Sequence, residues 1–383
     1  MVTGYDEAME VYHDAERFSS CNSVSGPFPG FPVPLVGDDV SVLVEEHRGA
    51  LPMSDQLPTF DPPKHTEHRA LLGRMLTPRR LKENEDFMWR LADRQIDEFV
   101  DRGRCEFVSD YASPFSLLVI ADLLGVPESD QEMFRRELGP RRTGTLGGTG
   151  GDHLRRNPLE FLYGQFTGYI EDRRREPRDD VLTGLAAATF RDGSTPEVID
   201  VVRIAVNLFA AGQETTVRLL GSALKFMAES PELCERLRSD RALIPNFTEE
   251  VLRIESPVKG DFRLSRVPCQ VAGVSIPAGS TLMVLNGAAN RDARRFENPD
   301  RLLADRSNAR QHVAFGHGIH TCPGAPLARA EGRVSLERVL DRMVDIRISE
   351  ADHGPPGARR YRYVPTYILR GLTSLHLEFE PSP

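Results

Sequence analysis

The spacing of apolar and polar positions divides this chain into a series of helical stretches, with a strand-like interval after Pro257. Apolar residues recur near a 3.6-residue period from Tyr5 to Val11, predicting a first helix. Four prolines around Phe28-Pro-Gly-Phe-Pro-Val-Pro then exclude regular structure. Asp61-Pro-Pro leads into a predicted helix from Lys64 to about Leu76, and Thr77-Pro78 opens another to about Phe99, because proline suits a first helical turn. Within Phe107 to Gly125 the run from Ser113 to Leu124 is apolar nearly all round and predicts a buried helix. Ser129 to Leu138 is polar and suits the surface. Arg141 to Asp152 holds five glycines in twelve residues, the composition of a flexible loop or lid. A helix follows from Leu159 to Arg175. The longest predicted helix runs from Thr195 to about Glu229; at 1.5 Å per residue it exceeds roughly 45 Å, enough to cross a domain through its centre.

Beyond Pro257 the texture changes. Gln270-Val-Ala-Gly-Val-Ser-Ile-Pro-Ala-Gly-Ser-Thr-Leu-Met-Val-Leu reads as a short strand pair, with turns at Ala272-Gly273 and Ala278-Gly279. Another helix spans about Pro326 to Val344, and the tail from Tyr363 to Phe379 alternates as strands do. The expected fold is mainly α with small β-sheets. With no internal repeat and no clear linker, residues 1–383 read as one large domain.

Composition narrows the function. Lys and Arg total 48 against 57 Asp and Glu, a net charge of −9 that speaks against nonspecific binding to nucleic acid or anionic membrane. No window approaches 18 uninterrupted apolar residues, so no membrane span is expected. The start carries acidic residues and no apolar signal core, which points to a cytoplasmic protein. Five scattered cysteines form no CxxC pair, so neither a zinc knuckle nor a disulfide framework is expected.

The sharpest feature is Phe315-Gly-His-Gly-Ile-His-Thr-Cys-Pro-Gly324. A cysteine in a glycine-punctuated loop just before a helix meets backbone amides that stabilise a thiolate. A thiolate is also a strong axial donor to haem iron. Phe315, Gly318, Cys322 and Gly324 match Phe-x-x-Gly-x-x-x-Cys-x-Gly, and here the chain resembles the cytochrome P450 superfamily, in its bacterial, ferredoxin-dependent form. The resemblance implies haem b between the long central helix and the cysteine loop, with Cys322 as proximal ligand and Phe315 beside the sulfur. Pro323 brings no amide to the sulfur, so a more electron-rich thiolate is expected.

The resemblance extends along most of the chain. Ala211-Gly-Gln-Glu-Thr-Thr216 matches the family's Ala/Gly-Gly-x-Asp/Glu-Thr, where the acid and threonine organise the protons used in O–O cleavage. It implies Thr215 as the hydrogen-bonding hydroxyl, freeing the carbonyl four residues back, and Glu214 as proton donor. Glu250-Val-Leu-Arg253 resembles the family's structural pair. His65, Arg69, Arg263 and His320 fall at positions that hold the haem propionates, and Asp261 would share a propionate proton or fix Arg263. Phe209, Ala210, Ala211, Val258, Lys259 and Ile368 are the implied substrate-pocket residues.

Family members usually carry some tens of residues ahead of the point where this chain begins, so either a more open entrance or a misassigned start site is expected. The implied reaction is insertion of one atom of O2 into a C–H or C=C bond of an apolar terpenoid, steroid or fatty-acid-like molecule. Electrons would come from NAD(P)H through a reductase and a small iron–sulfur ferredoxin, because the 383 residues hold neither a flavin domain nor a cluster-binding cysteine set. Arg74, Arg79, Arg80, Arg329 and Arg333 would steer that acidic partner to a monomeric enzyme. A peroxide-dependent peroxygenase and a non-catalytic haem sensor are the alternatives.

Overall fold

A computed structural model describes residues 1–73, 76–138 and 159–382. The glycine-rich stretch 141–152 and Arg74 lie outside the described residues. About 53% of the described residues are helical.

The local signals for helix ends act as their chemistry dictates. Thr77 Oγ1 accepts from the Arg80 amide and Pro78 occupies the first turn, so the helix Pro78–Asp97 starts there. Ser113–Leu124 stops at Gly125, whose φ of 88° suits the left-handed residue that ends a helix. The helix at Lys64 is described as far as Gly73, and Leu76, its expected end, is not helical.

The central helix, Val198–Glu229, runs unbroken for 32 residues. It packs against the helices Ser113–Leu124, Glu160–Arg175, Ile244–Glu255 and Ala325–Arg342. Gly212 permits a close approach to the helix Ser113–Leu124: a Cβ there would stand 3.2 Å from Ile120 Cγ1. Most of the buried apolar residues form one continuous core around this helix.

The sheets sit at the periphery. Phe18–Ser19, Asp261–Ser265 and Thr281–Val284 form an antiparallel sheet with the middle strand paired on both sides. Arg104–Glu106, His376–Pro381 and Met343–Ile348 form another. The expected turn at Ala272-Gly273 joins Cys269–Val271 to Val274–Ile276, both turn residues having positive φ. Most of the alternating tail is not strand. Between Tyr363 and Leu375 a single bridge, Tyr363 to Leu372, pairs within the segment, and continuous pairing begins only at His376. Among the described residues no helix is long and apolar enough to cross a membrane.

Candidate active site

A cavity of about 330 Å³ lies between the central helix and the loop that carries Cys322. The loop is shaped by its glycines. Gly318 has φ 68°, and a Cβ on it would strike the Tyr12 carbonyl at 2.2 Å, so the first helix closes on the loop only over glycine. Gly324 is different: its φ of −82° suits any residue, and a Cβ would meet only Cys322 Sγ at 3.8 Å. Its bare backbone instead leaves the cavity floor open beside the sulfur. The Cys322 amide donates to the Phe315 carbonyl at 2.9 Å, closing the loop.

Burial pushes the Cys322 thiol up, while the amides of Gly324 and Ala325 and the guanidinium of Arg69 pull it down. Pro323 therefore does not strip the sulfur of donors. Two amides at the start of the helix Ala325–Arg342 still point at it.

Four donor side chains meet along one cavity wall. The His65 and His320 rings lie with centroids 4.1 Å apart at a tilt of 48°, and Arg69 and Arg263 line the same cavity. Burial and the neighbouring arginines lower His65 to about 4 and His320 to about 2. Both His65 nitrogens and His320 Nε2 are buried without a hydrogen-bond partner. Arg69 donates to the Thr321 carbonyl at 2.5 Å and Arg263 to the Phe262 carbonyl at 2.7 Å, so among the described residues neither is spent on a carboxylate. Such a surplus of buried donors asks for an anion. The set fits the two carboxylates of haem b, with Cys322 placed to bind its iron.

Of the two roles expected of Asp261, the contact with Arg263 is not made, though the residue lines the cavity. Its Oδ2 lies 2.7 Å from the Tyr12 hydroxyl and 3.4 Å from Asn286 Nδ2. The phenol of the first helix, anchored also 2.5 Å from Asn286 Oδ1, captures this carboxylate.

On the opposite wall the central helix presents Ala210, Ala211, Glu214 and Thr215. Thr215 Oγ1 donates to the Ala211 carbonyl at 2.9 Å. The expectation that this carbonyl is left free is therefore corrected: the hydroxyl bonds back one turn, as helical threonines often do, and the helix stays continuous. Burial raises the Glu214 carboxyl, partly opposed by Arg218, and its Oε2 is buried without a partner.

Val258 and Ile368 line the cavity as expected, but two implied pocket residues do not. Phe209 is fully buried against Phe134 and Phe166, with ring centroids 5.1 and 5.5 Å away. A single residue step turns a helix by about 100°, which carries Phe209 off the face that Ala210 shares. Lys259 is half-buried and donates its Nζ to the Thr366 carbonyl at 2.7 Å, outside the cavity lining.

The pair Glu250–Arg253 is fully buried and doubly bonded, at 2.7 and 2.8 Å. Sequence spacing misses its third member, Arg306, whose Nε donates to Glu250 at 2.8 Å. It also misses Glu249. Burial alone would raise that carboxyl; hydrogen bonds with His312 and Arg329 outweigh burial and hold it at about 2. Arg329 in turn lies over the Phe315 ring, 4.8 Å from its centroid.

A further missed residue is Glu331, nine positions beyond the cysteine. Its Oε2 accepts from Thr216 Oγ1 at 2.9 Å, its Oε1 is buried without a partner, and burial pushes its carboxyl up to about 8. The folded chain thus keeps a proton that the unfolded chain, near 4.5, releases. Between those values stability falls as pH rises, by up to about 1 kcal/mol per pH unit. Glu331→Gln is expected to flatten this slope and leave stability below pH 4 unchanged. Melting temperature against pH for the two haem-loaded proteins checks it, and parallel profiles would refute it.

A family model described as Cytochrome P450 matches residues 159–344. Cytochrome P450 107B1 of Saccharopolyspora erythraea is 35% identical over 316 residues, covering 82% of this chain and 75% of the relative. The chain belongs to the cytochrome P450 family. Vitamin D(3) 25-hydroxylase of Pseudonocardia autotrophica is 33% identical over 88% of this chain and 82% of its own. The substrate-free structure of Mycobacterium marinum cytochrome P450 CYP150A6 superposes with a TM-score of 0.92 at 57% identity, covering all of this chain and 90% of that one. The expected P450 fold, haem iron and monooxygenase class accordingly hold for this chain.

Proposed function

We propose that residues 1–383 act as a single haem-thiolate unit that hydroxylates or epoxidises an apolar organic molecule, using O2 and electrons from a ferredoxin. The observation that carries this reading is one cavity with Cys322 on its floor, a surplus of donors at its side and an apolar roof bearing Glu214 and Thr215. Haem, once bound, supplies the iron at which O2 takes two electrons and two protons, one oxygen entering the substrate and the other leaving as water. Cys322 is the iron ligand in this proposal. His65, Arg69, Arg263 and His320 hold the propionates, while Phe315 and Gly324 shape the floor. Leu57, Leu72, Ile120, Ile204, Val258 and Ile368 exclude water around the substrate. The vitamin D(3) hydroxylase, by its name, acts on an apolar molecule, which agrees with such a lining.

Glu214 is the proton donor. A buried carboxyl raised above its ordinary 4.5 keeps more of its acid form near neutrality than a surface one. Thr215 guides that proton across the groove after releasing the Ala211 carbonyl. Ferredoxin dependence rests on the bacterial relatives. Of the arginines expected to steer that partner, the four described are ion-paired, Arg79 with Glu83, Arg80 with Asp179, Arg329 with Glu249 and Arg333 with Glu85. A cytoplasmic monomer is the corresponding cellular form.

The test is turnover of an apolar substrate with NADH, ferredoxin and its reductase. Glu214→Gln is expected to lower product formation roughly 10²-fold, the scale of a lost general acid, while reductant consumption falls far less. Equal loss of both would refute the proton-donor role. Product formed from peroxide but never from O2 and reductant would favour the peroxygenase reading.

A further inference from the structure

The central helix carries one more polar side chain into the cavity, at Asn207. It stands four residues before Ala211 and eight before Thr215, so all three share one face. Its side-chain amide makes no hydrogen bond among the described residues, although it sits in a wall otherwise built by Ile204, Leu208 and Leu57. A free amide in an apolar wall is costly to cover with hydrocarbon alone, since both its donor and its acceptor lose water.

The charges nearby narrow what it would bind. Arg203, one turn earlier, is already paired with Asp55 at 2.9 Å and Asp200 at 3.5 Å. Lys259 does not line the cavity, its Nζ lying on the Thr366 carbonyl, and in the proposed function the histidine and arginine cluster is taken up by the propionates. Glu214 is the titratable group next along the face. A substrate carboxylate at Asn207 would therefore meet the Glu214 carboxyl and, among the described residues, no spare cation.

We infer that Asn207 is a specificity-determining residue, its amide anchoring a neutral hydroxyl or carbonyl oxygen of an otherwise apolar substrate. The inference rests on the proposed apolar-substrate reading and narrows it, from terpenoids, steroids and fatty acids to neutral oxygenated skeletons. Eight residues of helix place the anchor roughly 12 Å along the axis from Thr215. The anchored oxygen and the oxidised carbon then lie about two helical turns apart, a span for several rings or isoprene units.

The test measures dissociation constants for the haem-loaded protein, by spin-state shift and by equilibrium dialysis. The probes are farnesyl and androstane skeletons, each as the neutral alcohol or ketone, the hydrocarbon and the carboxylate. The wild type is expected to bind the neutral oxygenated form roughly 3–10-fold tighter than the hydrocarbon, and the carboxylate weakest. Asn207→Leu is expected to erase that preference while keeping or improving hydrocarbon binding, which also reports that the variant is folded. Asn207→Ala serves the same purpose where leucine is too large. An undiminished preference in both variants, or a carboxylate bound tightest by the wild type, would overturn the role of Asn207. Failure of every probe to bind would instead overturn the apolar-substrate reading, and this inference with it.

Discussion

Cys322→Ser is expected to abolish monooxygenase turnover, by on the order of 10³-fold or more, while leaving the fold intact. The substitution keeps the size and removes the soft, electron-rich donor. Sγ lies where the amides of Gly324 and Ala325 converge, and those amides would hydrogen-bond a serine oxygen as well, so the loop has no reason to open. The donor cluster of His65, Arg69, Arg263 and His320 is untouched, so the propionates still have their partners. The variant should thus retain haem and lose only the thiolate. The carbon-monoxide complex of the reduced, haem-loaded protein would read this directly, because the long-wavelength Soret band requires a thiolate bound to the iron. Loss of that band with haem still bound is the expected result. A variant that kept both the band and the turnover would remove Cys322 from the site.

The features legible in the sequence were those written in local spacing. The cysteine loop, the acid–threonine pair and Glu250–Arg253 each lie within ten residues, and a helix or a tight turn converts such spacing into geometry almost without choice. Phe209 shows how narrow that margin is, since one step along a helix turned a pocket residue into a core one. What stayed illegible was made by contacts across the chain. Arg306 reaches Glu250 across 56 positions, His312 reaches Glu249 across 63, and the Thr366 carbonyl claims Lys259 across 107. No local pattern announces such pairings. Asn207 lies between these cases. Its spacing of four and eight from Ala211 and Thr215 was a usable signal, hidden by the louder polar cluster at Gln213 to Thr216.

Glu250→Gln should cost the fold about 3–5 kcal/mol, the scale for breaking a buried ion pair and leaving its partner charged. Glu250 accepts from Arg253 through both carboxylate oxygens, from Arg306 Nε at 2.8 Å and from the Leu303 amide at 3.1 Å. Arg253 is fully buried and Arg306 nearly so. Their remaining bonds go to the carbonyls of Asn290, Pro299, Arg301, Glu297 and Asn298, which are dipoles and cannot neutralise two guanidinium charges. A glutamine would fill the space and still leave both charges unpaired. Against a total stability of roughly 5–15 kcal/mol, such a loss is a large share of the whole. The pH dependence has a definite sign. Burial alone would raise the Glu250 carboxyl, but the hydrogen bonds from Arg253 and Arg306 outweigh it and hold the group below its ordinary 4.5. Its stabilisation is therefore complete above that value and is lost as pH falls through the lowered folded-state pKa. Urea unfolding midpoints at pH 7 and in acid check both parts. The variant is expected to unfold at much lower urea at pH 7, with the gap to wild type closing in acid as the native carboxylate takes up its proton. A gap of equal size at both pH values would mean that the loss arises from packing, with no part played by the buried charge.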